Sequence, residues 1–116
     1  MRLGRSFGYA GQGIISFFRA EQNALIHLLA SVIVICLAFV YRVTKTESIA
    51  LILSMGFVWT AELFNTAIEK MMDMVSTERH PAIKFIKDVS AAAVLIAACC
   101  ALLVGCFVFI PKIAGV

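Results

Sequence analysis

IALILSMGFVWTAELFNTAIEKMMDM, residues 49–74, reads as a membrane-spanning helix with polar groups on one face. Those groups are Glu62, Asn65, Glu69 and Asp73, spaced three, four and four residues apart. At 3.6 residues per turn they fall within an arc of roughly 80°. A charged side chain at the centre of a bilayer costs roughly 2.5–3.5 kcal/mol even on lenient insertion scales, so such residues are functional candidates by default. Two acids on one intramembrane face, Glu62 and Glu69, need a shared reason. Asn65 fits either that site or a plain hydrogen-bonded tie between helices, and Asp73 either the site or a solvated helix end.

Two further apolar runs flank this one. The chain has 116 residues, 62% of them apolar and 15% charged, a composition on the membrane side of a soluble domain. The expected architecture is all-α: a single membrane domain over residues 1–116 with spans at about 24–41, 49–72 and 89–110. A soluble bundle would need polar faces, and the last run offers almost none after Asp88. Ahead of the spans, residues 3–19 read as an amphipathic helix lying in the membrane surface. Leu3, Phe7, Ile14 and Phe18 fall on one side, and Arg5, Tyr9, Gln12, Ser16 and Arg19 broadly on the other. Extending that wheel to Glu21 turns it away from the polar face, so the helix should bend or end before it. The apolar run that follows reads as a retained span and not as a cleavable leader.

Basic residues set an orientation. Arg2, Arg5, Arg19, Lys70, Arg79, Lys84 and Lys87 stand on one side, against Arg42, Lys45 and Lys112 on the other. That asymmetry puts the N-terminus and residues 73–88 in the cytoplasm and the C-terminus outside. The net charge of +3 suits an anionic inner leaflet and calls for no nucleic acid partner. Cys36, Cys99, Cys100 and Cys106 form no CxxC pair and read as small buried apolar residues, not as a metal site or disulfide framework. Ala93, Ala97, Ala101 and Gly105 recur every fourth residue, a small-residue face that lets helices approach closely. Pro81 should open a short helix leading into Lys87. Three thin helices enclose a stripe of acids poorly, so oligomerisation is expected.

Carboxylates at a membrane–cytosol boundary suit Mg²⁺, which takes oxygen ligands and keeps substrate phosphates in its shell. Glu62 lies about 10 Å deeper than Glu69 by helical rise, deep enough to meet a lipid headgroup as a general base. Lys87 can offset charge on a phosphoryl group in transfer. The chemistry expected is metal-assisted phosphoryl transfer at the interface. The rival is a noncatalytic transport or assembly subunit using the same acids for cation passage or helix registry. Gly11-Gln12-Gly13 runs into Ile14-Ile15 without a GK[ST] ending, so a phosphate-binding loop of the Walker kind is absent. His27 reads as a packed interfacial residue, His80 as a loop histidine and Glu78 as a surface acid.

Glu62-Leu63-Phe64-Asn65-Thr66-Ala67-Ile68-Glu69, then Asp73, then Lys87-Asp88-Val89-Ser90-Ala91-Ala92-Ala93-Val94, resembles the small prokaryotic integral-membrane diacylglycerol kinases, a family that includes undecaprenol kinases. The likeness runs from Gly8-Tyr9 through Glu21 and all three spans. It implies a homotrimer in the bacterial inner membrane, with ATP as co-substrate and Mg²⁺ as cofactor, phosphorylating a lipid alcohol. It further implies Glu62 as base, Glu21 and Glu69 as the metal pair, and Asn65, Lys87 and Asp88 on the nucleotide and phosphate side. Glu78 and His80 match positions near the nucleotide, and Arg2 and Tyr9 positions on the surface helix that help form the site. Where the best-known diacylglycerol-phosphorylating member has serine and tryptophan after the helix tyrosine, this chain has Ala10 and Gly11. Glu21-Gln22-Asn23 followed by Ile26-His27 resembles the undecaprenol kinase branch. The resemblance therefore implies undecaprenol as acceptor ahead of diacylglycerol.

Overall fold

The computed structural model describes residues 2–115. Four helices follow one another: α1 Arg2–Ala20, α2 Ala24–Val40, α3 Lys45–Val75 and α4 Pro81–Ile113. The all-helical expectation holds. By length and composition α3 and α4 are clear candidates to cross a membrane. At 31 and 33 residues they rise about 46 and 50 Å, enough to carry their ends past a hydrocarbon core of about 30 Å. The apolar α2 has 17 residues, the lower limit for a span.

The breaks have local causes. α1 ends at Ala20, and α2 leaves it at a 109° bend through Glu21, Gln22 and Asn23, where the polar wheel of α1 fails. α2 ends because Arg42 takes a left-handed φ of 51°, letting the Val43 N–H fold back onto the Ala38 carbonyl at 3.1 Å. α3 starts in a capping box. Thr44 Oγ1 accepts from the Glu47 N–H at 3.2 Å while Glu47 Oε1 accepts from the Thr44 N–H at 2.8 Å. Pro81 stands in the first turn of α4, where its missing N–H costs nothing. The helix it opens is not the short one expected but continues unbroken to Ile113, because the apolar sequence after Lys87 supplies no second stop.

α3 and α4 pack antiparallel along their length. Asp73 meets Lys87 at one end and Glu47 meets Lys112, at 3.1 Å, at the other. Ala97, in the small-residue face of α4, is completely buried. Near the Glu47 end Leu51, Val108 and Phe109 form a knot that Val34, Leu37, Tyr41 and Val43 join from α2 and its turn. Closer to the α1–α2 bend the helices part, leaving an open apolar groove of about 460 Å³ between α2, α3 and α4. α1 is held by Phe17, its one buried residue among those described, while Leu3, Phe7 and Ile14 of the side expected to meet lipid stay exposed. Phe17 and Phe18 both stand against Trp59 of α3, with ring centroids 6.2 and 5.8 Å away. The cysteines also depart from expectation. Cys36, Cys99 and Cys100 are exposed on the single chain, and Cys106 is half-buried at the wall of the groove between α2, α3 and α4.

Candidate functional site

α3 supplies a polar column, and each neighbouring element adds to it at a different height. Glu62 is deepest and is 7% exposed. From α2, His27 brings Nε2 to 2.7 Å from Glu62 Oε1. One helical turn further along α2, Ser31 Oγ accepts a hydrogen bond from Trp59 Nε1 at 2.9 Å. Both bridges run between the antiparallel α2 and α3 beside the acid.

One turn further along α3 the contributor is α4. Ser90 Oγ donates to Asn65 Oδ1 at 2.7 Å, and Asn65 Nδ2 donates to Glu69 Oε1 at 3.2 Å. Ser90 and Asn65 are both buried. The Glu69 carboxylate, which can only accept, settles which way the Asn65 amide faces, with its NH₂ toward Glu69. Asn65 is thus both a tie between helices and a support for an acid. At the α1–α2 break Glu21 Oε1 accepts from the Asn23 N–H at 3.3 Å, and Glu21 Oε2 accepts from Thr66 Oγ1 at 3.5 Å. Thr66 lies four residues after Glu62 and three before Glu69, so Glu21 sits beside the turn of α3 between the two acids.

Beyond the 49–72 run, Asp73 accepts from Lys87 Nζ at 2.7 Å. That hydrogen bond, with the charges of Lys87 and Lys70, holds the Asp73 carboxyl below its ordinary value of 3.8. Asp73, Lys87 and Asp88 line an open cavity of about 540 Å³ together with Glu78, Arg79, His80 and Lys84. Lys84 is itself paired with Asp88, one turn away on α4. The cavity has both signs of charge and the dimensions of a small polar ligand. The pair at its wall makes a prediction. Asp73→Asn lowers the melting temperature by a small margin, as expected for an exposed ion pair, and the loss narrows in high salt. The Asp73 carboxyl is depressed in the folded state, so its contribution is present above pH 3.8 and is lost as pH falls through the lowered value. Melting curves of wild type and variant should therefore converge in acid.

Of the residues picked from sequence, Glu62, Asn65, Glu69 and Glu21 gather around one stretch of α3, and Glu78, His80, Lys87 and Asp88 around the cavity at its end. Arg2 and Tyr9 lie exposed on α1, and no described contact joins them to either group. No cluster of three metal-ligating side chains forms among the described residues. Glu21 and Glu69 nonetheless present hard oxygen donors on adjoining turns, a set suited to a magnesium ion that draws its remaining ligands from water and phosphate. His27, read from sequence as a packed interfacial residue, and Ser90 and Thr66, which stand in the quoted motif without a role, prove to be partners of the polar column, and nothing in their spacing signals those contacts.

Comparison with known proteins agrees with this picture. Residues 8–109 match the family model described as prokaryotic diacylglycerol kinase. The undecaprenol kinase of Bacillus subtilis (strain 168) is 34% identical over 112 residues, covering 97% of this chain and 91% of that one. The diacylglycerol kinase of Synechocystis is 35% identical over 109 residues, 93% of this chain and 62% of its own. That of Pseudomonas aeruginosa is 35% identical over 96 residues, 83% of this chain and 78% of its own.

Proposed function

This chain belongs to the prokaryotic diacylglycerol kinase family, and on that premise we propose that it transfers the γ-phosphoryl group of ATP to the hydroxyl of a membrane lipid alcohol, undecaprenol ahead of diacylglycerol. The lipid kinase activity follows from the family; the co-substrate, the metal and the acceptor are our reading. The polar column supports it most directly: a buried carboxylate at lipid depth, a supported acid one to two turns beyond, then a mixed-charge cavity at the end of the same helix.

Glu62 takes the hydroxyl proton as the lipid oxygen attacks phosphorus, and ADP departs with the electron pair of the broken P–O bond. Glu69, held by Asn65, and Glu21, held by Thr66, are the carboxylates that would hold Mg²⁺. When bound, that ion offsets charge on the phosphate oxygens. Lys87 adds a cation on the same side, and Glu78, His80 and Asp88 shape the space for the nucleotide. Arg2 and Tyr9 serve a site in the assembled homotrimer. An assembly is in keeping with the thin enclosure that three helices give the acids, and with Tyr9, which stands exposed on α1 away from both groups of site residues in the single chain.

The deciding experiment is a side-by-side assay in mixed micelles. Purified protein should convert undecaprenol to its monophosphate, with ATP and only with divalent metal, and with a higher kcat/KM than for diacylglycerol. Folded protein that turns over neither lipid would sink the reading. A clear preference for diacylglycerol would reverse the ordering and leave the chemistry in place. The topology proposed has three spans, α2 completing the set, with the N-terminus and site cytoplasmic and the C-terminus external. In a cysteine-free background, cysteines at positions 78 and 114 should label from opposite sides of intact cells; equal accessibility would reject it.

A further inference from the structure

Glu62 is buried, and His27 Nε2 lies 2.7 Å from its Oε1. The imidazole is itself confined. Its ring stands edge-on to Trp59, with centroids 6.0 Å apart, and Trp59 is pinned in turn by Ser31. A single buried acid thus has an imidazole nitrogen from another helix 2.7 Å from one of its oxygens. Nothing in the roles already assigned to the site uses that nitrogen.

We propose that His27 is a positioning residue for the base: its Nε2–H grips Glu62 Oε1 and leaves Oε2 as the oxygen offered to the lipid hydroxyl. The inference deepens the kinase reading and rests on it. A glutamate has three side-chain torsions, and a proton acceptor acts only within about 3 Å of the proton it takes, so an ungripped carboxylate would spend much of its time misaimed. A lysine at position 27 would reach the oxygen too, but through three N–H bonds that turn freely on a flexible stem; an imidazole ring donates along one fixed direction. The proton count closes without His27 changing state. The lipid O–H bond breaks as the O–P bond forms, the proton goes to Glu62 Oε2, the bond to the leaving ADP breaks with its electrons, and His27 keeps its own proton.

Two variants and one resonance test this. His27→Phe keeps an aromatic ring against Trp59 but has no donor, and should lower kcat for lipid phosphorylation by roughly 10- to 100-fold, with KM for MgATP unchanged. His27→Gln carries an amide N–H that can reach the same oxygen and should recover most of that loss. If His27→Phe does not fold, His27→Met takes its place as the donor-free variant. The chain has two histidines, so the imidazole ¹⁵N signals of His27 can be assigned, and its Nε2–H signal should move in Glu62→Gln. A donor-free variant with kcat within about twofold of wild type, below what loss of alignment costs, would overturn the proposal. So would a glutamine variant no better than the donor-free one, or a His27 signal indifferent to Glu62→Gln. If the signal responds but wild type phosphorylates no lipid alcohol, the kinase reading fails, and the pair is a structural tie with no base to position.

Discussion

Glu62→Gln lowers kcat for lipid phosphorylation by roughly 10²- to 10⁴-fold, the usual worth of a positioned general base, and leaves KM for MgATP within about twofold. The substitution is close to isosteric, and the glutamine carbonyl can still accept from His27, so the α2–α3 register survives. What disappears is the basic oxygen. The proposed nucleotide side of the site lies further along α3, about 10 Å of helical rise away at Glu69, and is supported from α4, so its affinity should hardly register the change. Kinetics on folded, assembled variant decide it. Normal turnover, or a sharp change in metal requirement with turnover intact, would remove Glu62 from the role of base.

Glu69→Gln produces the opposite pattern. Productive MgATP binding weakens by roughly 10- to 100-fold, a range that disturbing even the support of a metal ligand can reach, and the Mg²⁺ concentration for half-maximal activity rises. Asn65 still finds a carbonyl oxygen to donate to, so the Ser90–Asn65 bond stays and the packing of α4 on α3 is not the variable. A Mg²⁺ titration with nucleotide binding measured in parallel separates the two acids. Should Glu69→Gln slow turnover while leaving metal and nucleotide dependence untouched, the carboxylate is no metal ligand. The Glu62 and Glu69 variants together test whether depth along one helix divides proton transfer from nucleotide handling.

Much of this was legible along the chain. The acids share one face of α3 because helical periodicity alone decides it, and Glu21 marks the end of α1 because its polar wheel fails there. What the sequence withheld were pairings between helices. His27 on Glu62, Ser90 on Asn65 and Lys87 on Asp73 depend on the register in which α2 and α4 lie against α3, and a one-turn slip would change every partner. That register is set at a distance by the outer knot around Leu51 and Phe109 and by the Arg42 turn, neither of which carries a polar signal. Asp73 shows the same limit. Its spacing fitted the stripe, yet only the contact with Lys87 joins it to the cavity. The exposed cysteines mark a different one: helical pattern says which residues share a face, not which face another helix of the same chain will cover.

Trp59 is the chain's sole tryptophan, and it stands where the surface helix, α2 and α3 come together, three residues before Glu62. All of the protein's indole emission therefore originates at the joint that holds Glu62. Its Nε1–H is committed to Ser31 and its ring is flanked by Phe17, Phe18 and His27, so lifting the surface helix or sliding α2 alters the fluorophore's surroundings. The enzyme carries its own optical gauge: lipid arrival, detergent choice and bilayer thickness can be followed by colour and lifetime, with no label added.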